Sequence, residues 1–317
     1  MGKIDLWQAI LVALTRQLLR KFGRADNMNP PSETANRVAF CRAWESQKPP
    51  ESRLCYDPIA EHMLRGEVKP FVLTPEGREF FLNKMAKPYV LGILDYIPLR
   101  THVIDGHLQD CLTKGLRQLV ILGAGYASRA YRLDELKENV RIIELDTAGT
   151  QEDKKAKLTS WLGQLPAHVT FAALDFEKDD LAEKLDQAGF NSSLSTLFIW
   201  EGVTYFLDAR AVDHTLDYIS AHTPAGSSIV FDYVRPEVVD GSTQNPVMQS
   251  MMEFCVEIGE PYRFGLEPQQ VERFLNQHGF QDVVNLTVEE CLDKYLTQSH
   301  GPRNPMPEYG IAWASVA

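Results

Sequence analysis

Beyond Gln118 the chain alternates short apolar runs with stretches in which apolar residues recur every third or fourth position. Five runs stand out: QLVILGAG (118–125), NVRIIELD (139–146), HVTFAALDF (168–176), STLFIWEGV (195–203) and SSIVFDYV (227–234). Their short length, bounded ends and β-branched content predict strands covered on both faces. Between them lie DKKAKLTSWLGQL, DLAEKLDQAGF and ARAVDHTLDYISAH, which have helical period. The alternation predicts an α/β fold, a parallel sheet with helices on both faces.

The first third reads differently. SETANRVAFCRAWES opens with Ser32, a good N-cap, and PIAEHML and the segment 88–116 also carry helical spacing. Near the N-terminus, Leu6, Ile10, Ala13, Leu14 and Leu18 recur at helical intervals, which predicts a helix packed on the body or on a partner subunit and leaves a homodimer open. Asp5 and Gln8 interrupt that stretch and no small-x-small site follows, unlike a signal peptide. No repeat or low-complexity linker divides the chain. Its organisation reads as a helical cap or substrate lid over 1–116 and a ligand-binding core over 117–317.

Sheets of this kind bind ligands outside the carboxyl ends of their strands. Here those ends are glycine-rich or acidic: Gly123, Ala124 and Gly125, then Glu144 and Asp146, Asp175, Glu201 and Asp232. Two glycines allow a tight turn and the close approach of a bound group. Ser128 stands where a dinucleotide fingerprint has its third glycine, and no lysine follows to make a P-loop. Glu144 or Asp146, about twenty residues on, can accept bonds from ribose hydroxyls. Asp175 can hold the exocyclic amine of an adenine. A nucleoside without phosphates, amid carboxylates that tolerate a cation, points to S-adenosylmethionine.

Composition narrows the partners. The net charge of −11 and the lack of a basic stripe exclude a nucleic-acid surface. No run approaches the ~18 apolar residues of a membrane span. The five cysteines, at 41, 55, 111, 255 and 291, are scattered without a CxxC pair, which predicts reduced thiols in the cytoplasm and no metal site.

Nine segments, in order, carry a resemblance: TANRVAFCRAWES, YDPIAEHML, LRTHVIDGHL, LGAGYASRAYRL, IIELD, LDF, WEGVTYFL, FDYV and GEPYRFGLEP. Together they resemble the leucine carboxyl methyltransferase family, including its polyketide O-methyltransferase branch of tetracenomycin type. The resemblance implies a class I methyltransferase fold, a Rossmann-like seven-stranded sheet with an antiparallel last strand; FQDVVNLTVE and GIAWASVA fit the last two strands. It implies that Arg100 holds the methionine carboxylate of S-adenosylmethionine, that Gly123, Ala124 and Gly125 lie under the cofactor, and that Asp146 takes the ribose. Asp175 and Phe176 would take the adenine, and Glu201 would lie beside the methionyl amine. The family usually has aspartate where this chain has Ala127.

The implied activity is O-methyl transfer, with a carboxylate of a small, acidic, polyketide-like metabolite as the first expectation. Such an acceptor is already ionised and needs aiming rather than deprotonation. Arg37, Arg42, Arg263, Tyr205, Tyr233 and Tyr262 are available for this, with Tyr205 and Arg263 the catalytic candidates. Alternatives are a hydroxyl, for which His102, His107 or His214 could act as base, a protein C-terminal carboxylate, and cofactor binding without catalysis.

Overall fold

A computed structural model describes residues 31–317; the helix expected around Leu6–Leu18 lies outside them. Seven strands form one sheet: β1 (Gln118–Leu122), β2 (Arg141–Asp146), β3 (Val169–Ala173), β4 (Thr196–Trp200), β5 (Ser228–Val234), β6 (Phe280–Thr287) and β7 (Tyr309–Val316). Their order is β3-β2-β1-β4-β5-β7-β6. The pairs β1–β2, β2–β3, β1–β4 and β4–β5 are parallel, whereas β7 lies antiparallel between β5 and β6. Every residue of β1, β4 and β5 is buried, in keeping with their mostly apolar runs. The order reverses direction at β1, between β2 and β4, and opens a crevice there.

The helices follow the sequence, with local corrections. Ser32 caps Glu33–Ser46 by accepting the Ala35 N–H at 3.1 Å. Ala209–His222 begins and ends where its periodicity does. The segment expected to be helical over 88–116 stops at Thr113, because Gly115 turns left-handed (φ 89°). The helix after β2 starts earlier than its periodic stretch, at Ala148, and ends on left-handed Gly163. PIAEHML yields only the single turn Ala60–Met63.

One hydrophobic core runs from Trp44, Tyr96 and Ile104 through Ile121 and Val230. The helices before residue 117 therefore cover one face of the sheet and share its core. A second core on the opposite face joins Phe198 and Trp200 to Leu216 and Leu275. Arg100 and Asp105 ride on the long helix Pro88–Thr113, which places both beside the strand ends.

Candidate active site

A cavity of about 400 Å³ opens at the carboxyl ends of β1, β2 and β4, a volume suited to one small ligand. Gly123, Ala124 and Gly125 form its floor. The turn is held by Ala124 N–H donating to Leu145 O at 2.8 Å and Ala127 N–H donating to Ala124 O at 2.7 Å. Gly123 is left-handed (φ 67°), and a Cβ there would collide with Val203 Cγ2. Here the close approach that demands glycine is made by Val203, a neighbour in the protein.

Asp146 closes β2 and binds the turn directly. Its Oδ2 accepts the Gly125 N–H at 2.5 Å, and its Oδ1 accepts the Thr147 N–H at 2.7 Å. Burial raises its pKa, against the opposing effect of those two backbone donors. Glu144, the other carboxylate on this strand, is wholly buried 2.6 Å from Lys154 Nζ and does not line the cavity. That separates the two candidates for the ribose. Asp175 and Phe176 line the cavity beyond β3, with Phe176 packed 5.8 Å from the Trp200 ring. Asp175 is partly engaged by Lys178 Nζ at 2.5 Å. Burial would raise its pKa, but the bonds from Lys178 and the Glu177 N–H hold it below the usual value.

Glu201 stands at the centre, with its carboxylate between two guanidiniums. Oε1 accepts from Arg100 Nε at 2.9 Å, and Oε2 accepts from Arg129 Nη1. Burial alone would raise its pKa; the charges of Arg129 and Arg100 overcome this and hold it far below the carboxylate range. These contacts belong to a longer alternating chain. Arg129 Nε and Arg132 Nη2 share the two oxygens of Asp105. Arg132 Nε donates to Ser128 Oγ at 3.2 Å, and Ser128 donates to Asp57 at 2.6 Å. Asp57 pairs with Arg42 at 2.8 Å, and Arg42 donates back to Tyr126 O at 2.6 Å, beside the glycine turn. Arg129, beside Ala127, is thus oriented by Asp105 and Glu201.

This geometry, a glycine turn after β1 with acids closing β2 and β4, coincides with a match at the sequence level. The family model described as leucine carboxyl methyltransferase matches residues 35–220. The chain belongs to the leucine carboxyl methyltransferase family. Among curated relatives, a candidate S-adenosyl-L-methionine-dependent methyltransferase of Bacillus subtilis is 29% identical over 190 residues, covering 60% of this chain and 62% of that protein. One from Mycobacterium bovis is 31% identical over 205 residues, covering 64% and 63%. The chain spans a little under two thirds of the length of these relatives. A solved structure of a candidate methyltransferase from Thermobifida fusca aligns over 92% of this chain and 96% of its own, with a TM-score of 0.56 at 13% identity, a likeness of fold.

Of the residues that the family resemblance selects, Arg100, Gly123, Ala124, Gly125, Asp146, Asp175, Phe176 and Glu201 all line the cavity. Arg263 lines it at the exposed rim, where it is paired with Glu177 and lies 3.8 Å from Asp208. Tyr205 does not line it. The short turn Thr204–Phe206 directs its ring inward, and its hydroxyl lies 3.3 Å from both Arg100 Nη1 and Asp232 Oδ2. Burial, reinforced by Asp232, raises its pKa well above that of an ordinary phenol. As an aiming group for an acceptor, Tyr205 is therefore corrected to a buried support of Arg100.

The remaining candidates divide similarly. Arg42 reaches the cavity but is tied to Asp57, whereas Arg37 lies over the Phe254 ring at 4.1 Å. Tyr233 and Tyr262 are buried against Asn285 and Tyr309. His102 bonds Leu54 O, His107 bonds Ser228 Oγ, and His214 is exposed on its helix. Among the described residues, no histidine lines the cavity.

Glu260 is a further residue of the cavity. This cavity-lining acid accepts from Thr34 Oγ1 and, at 3.2 Å, from Ser32 Oγ. It ties the loop after helix Pro246–Glu257 to the N-terminus of helix Glu33–Ser46, and burial raises its pKa. It belongs to the quoted GEPYRFGLEP, where the signal was present without an assigned role.

Proposed function

We propose that this chain is an S-adenosylmethionine-dependent O-methyltransferase whose acceptor is a carboxylate of a small acidic metabolite. The observation that carries the reading is the set of charged groups around one cavity. Five carboxylates line it, on Asp146, Asp175, Glu177, Glu201 and Glu260, against the guanidiniums of Arg42, Arg100 and Arg263. Asp57 already neutralises Arg42, while Arg263 pairs with Glu177, Lys178 with Asp175, and Arg100 and Arg129 with Glu201, which leaves Asp146 and Glu260 outside any ion pair among the described residues. The surplus of negative charge suits a cationic ligand.

Asp146 would hold the ribose, Phe176 and Asp175 the adenine, and Arg100 with Glu201 the two charged groups of the amino-acid end. When bound, S-adenosylmethionine supplies a methyl group on a sulfonium, which is transferred by in-line displacement. The protein's task is then to exclude water and hold the acceptor oxygen about 3 Å from the methyl carbon. A carboxylate is ionised at neutral pH and needs no base. Arg263 at the rim would aim it by exchanging its present partner Glu177 for the acceptor. Glu260 favours a second reading, because a half-buried carboxyl of raised pKa lining the cavity could accept a proton from a hydroxyl acceptor.

The test uses labelled S-adenosylmethionine with acidic and phenolic aromatic acceptors, followed by mild alkali. A methyl ester releases labelled methanol. Label that stays with the acceptor supports the hydroxyl reading and removes the carboxylate one.

A further inference from the structure

Asp232 lies within β5, two residues before its end, and behind the cavity wall, wholly buried. Its carboxylate serves four donors. Oδ1 accepts the Gly202 N–H at 2.6 Å. Oδ2 accepts from Arg100 Nη1 at 2.6 Å, the Tyr96 hydroxyl at 3.1 Å and the Tyr205 hydroxyl at 3.3 Å. Gly202 directly follows Glu201 and is left-handed (φ 75°), and a Cβ there would stand 3.2 Å from the Arg100 guanidinium. One carboxylate thus fixes both the arginine and the turn that carries Glu201.

A buried ion pair is a weak source of net stability, because desolvating the charges offsets their attraction. It is an effective source of fixed geometry. The other end of the cavity has separate supports: Asp146 is held by Gly125 and Thr147, and Phe176 by Trp200. The Asp232 carboxylate binds Gly202, Arg100, Tyr96 and Tyr205 and neither of these supports.

We propose that Asp232 is a positioning residue that confers recognition of the amino-acid end of the cofactor, acting through Arg100 and the Glu201–Gly202 turn. The proposal rests on the reading of the cavity as an S-adenosylmethionine site. It requires that disturbing Asp232 weaken ligands with an amino-acid end and spare those with only the nucleoside.

S-adenosylhomocysteine and 5′-methylthioadenosine form the diagnostic pair, since the second keeps the thioether nucleoside and lacks the α-amino acid. Both are titrated by calorimetry into the wild-type chain and into Asp232→Asn, with thermal melting to check folding. Asp232→Asn is nearly isosteric and removes the charge that holds Arg100. S-adenosylhomocysteine is expected to bind roughly tenfold more weakly or worse, as for loss of a charge-assisted bond, and 5′-methylthioadenosine to change less than about twofold. Equal losses for both ligands, or unchanged S-adenosylhomocysteine affinity, overturn the proposal. Should Asp232→Asn fail to fold, Tyr96→Phe removes a hydroxyl that donates to Asp232 alone, without stranding a charge. It should weaken S-adenosylhomocysteine by roughly threefold and leave 5′-methylthioadenosine unaffected; no selective loss there overturns the proposal. A wild-type chain that binds neither ligand overturns the cofactor reading, and this inference with it.

Discussion

Replacing Asp146 by asparagine keeps the shape of the side chain while removing its charge and half of its acceptor capacity. In the native site three protein donors converge on this carboxylate: Gly125 N–H at 2.5 Å, Thr147 N–H at 2.7 Å and Thr147 Oγ1 at 3.2 Å. A carboxylate offers about four acceptor positions, which leaves room for about one ligand hydroxyl rather than two. The asparagine oxygen can serve only one of the two backbone N–H groups. Its NH₂ then faces the other, and flipping the amide exchanges the fault without curing it. The stranded donor should cost the fold about 1–3 kcal/mol. Loss of the charge-assisted bond to the ribose should cost the ligand about 1.5–3 kcal/mol, or roughly 10–150-fold in affinity. Ribose hydroxyls do not change charge during transfer, so the contact contributes equally to ground and transition states. The cofactor KM should therefore rise while kcat at saturation stays within about threefold. Calorimetry with S-adenosylhomocysteine, steady-state kinetics and a thermal melt measure the three quantities. An Asp146→Asn chain that is folded yet binds S-adenosylhomocysteine as the wild type does would refute the assignment.

Other outcomes follow from local geometry. Gly123→Ala forces a β-carbon into left-handed backbone against Val203 Cγ2, and denaturant unfolding should show a loss of roughly 2–4 kcal/mol. Adding Val203→Ala should recover the steric part and leave about 1–2 kcal/mol from the backbone; no recovery would show that Val203 is not the obstacle. Stability should also fall in mild acid through His107, whose pKa is pushed down to about 4 by burial. Because its folded value lies below the unfolded one near 6.5, its contribution is complete above that pH and is lost as pH falls towards 4. The loss should reach roughly 2 kcal/mol by about pH 4.5, measured by denaturant titration at several pH values. His107→Gln should flatten that dependence, and a slope that survives the substitution would point to other groups.

The strands were legible because β1, β4 and β5 are covered on both faces and are therefore almost wholly apolar, Asp232 in β5 being a polar exception that needs its own buried partners. The cavity floor was legible for a related reason. A glycine turn and strand-end acids are hard to place elsewhere in a βα repeat, and Gly123, Asp146 and Glu201 all reach the cavity. Period-2 alternation could not separate Glu144 from Asp146, two residues apart on the same strand. Only the partner supplied by Lys154, on the following helix, divides them.

Tyr205 shows another limit. A tyrosine in the segment after β4 was available to aim an acceptor, but the tight turn Thr204–Phe206 sends its ring into the core. The alternating chain from Arg42 to Asp232 was invisible for the same reason. Its members come from helices, loops and strands far apart in sequence, and ion pairing leaves no periodic trace. The single helical turn at Ala60–Met63 similarly reflects packing against helix Ala148–Leu162, a contact that local propensity cannot anticipate.

The central claim is that the cavity above β1, β2 and β4 is a cofactor site for S-adenosylmethionine, and calorimetric titration of the full chain tests it most directly. Saturable binding of S-adenosylmethionine and S-adenosylhomocysteine is expected, one ligand per chain, with dissociation constants in the micromolar range, about −8 kcal/mol, and no heat with NAD. Heat with NAD and none with either sulfur ligand would contradict it.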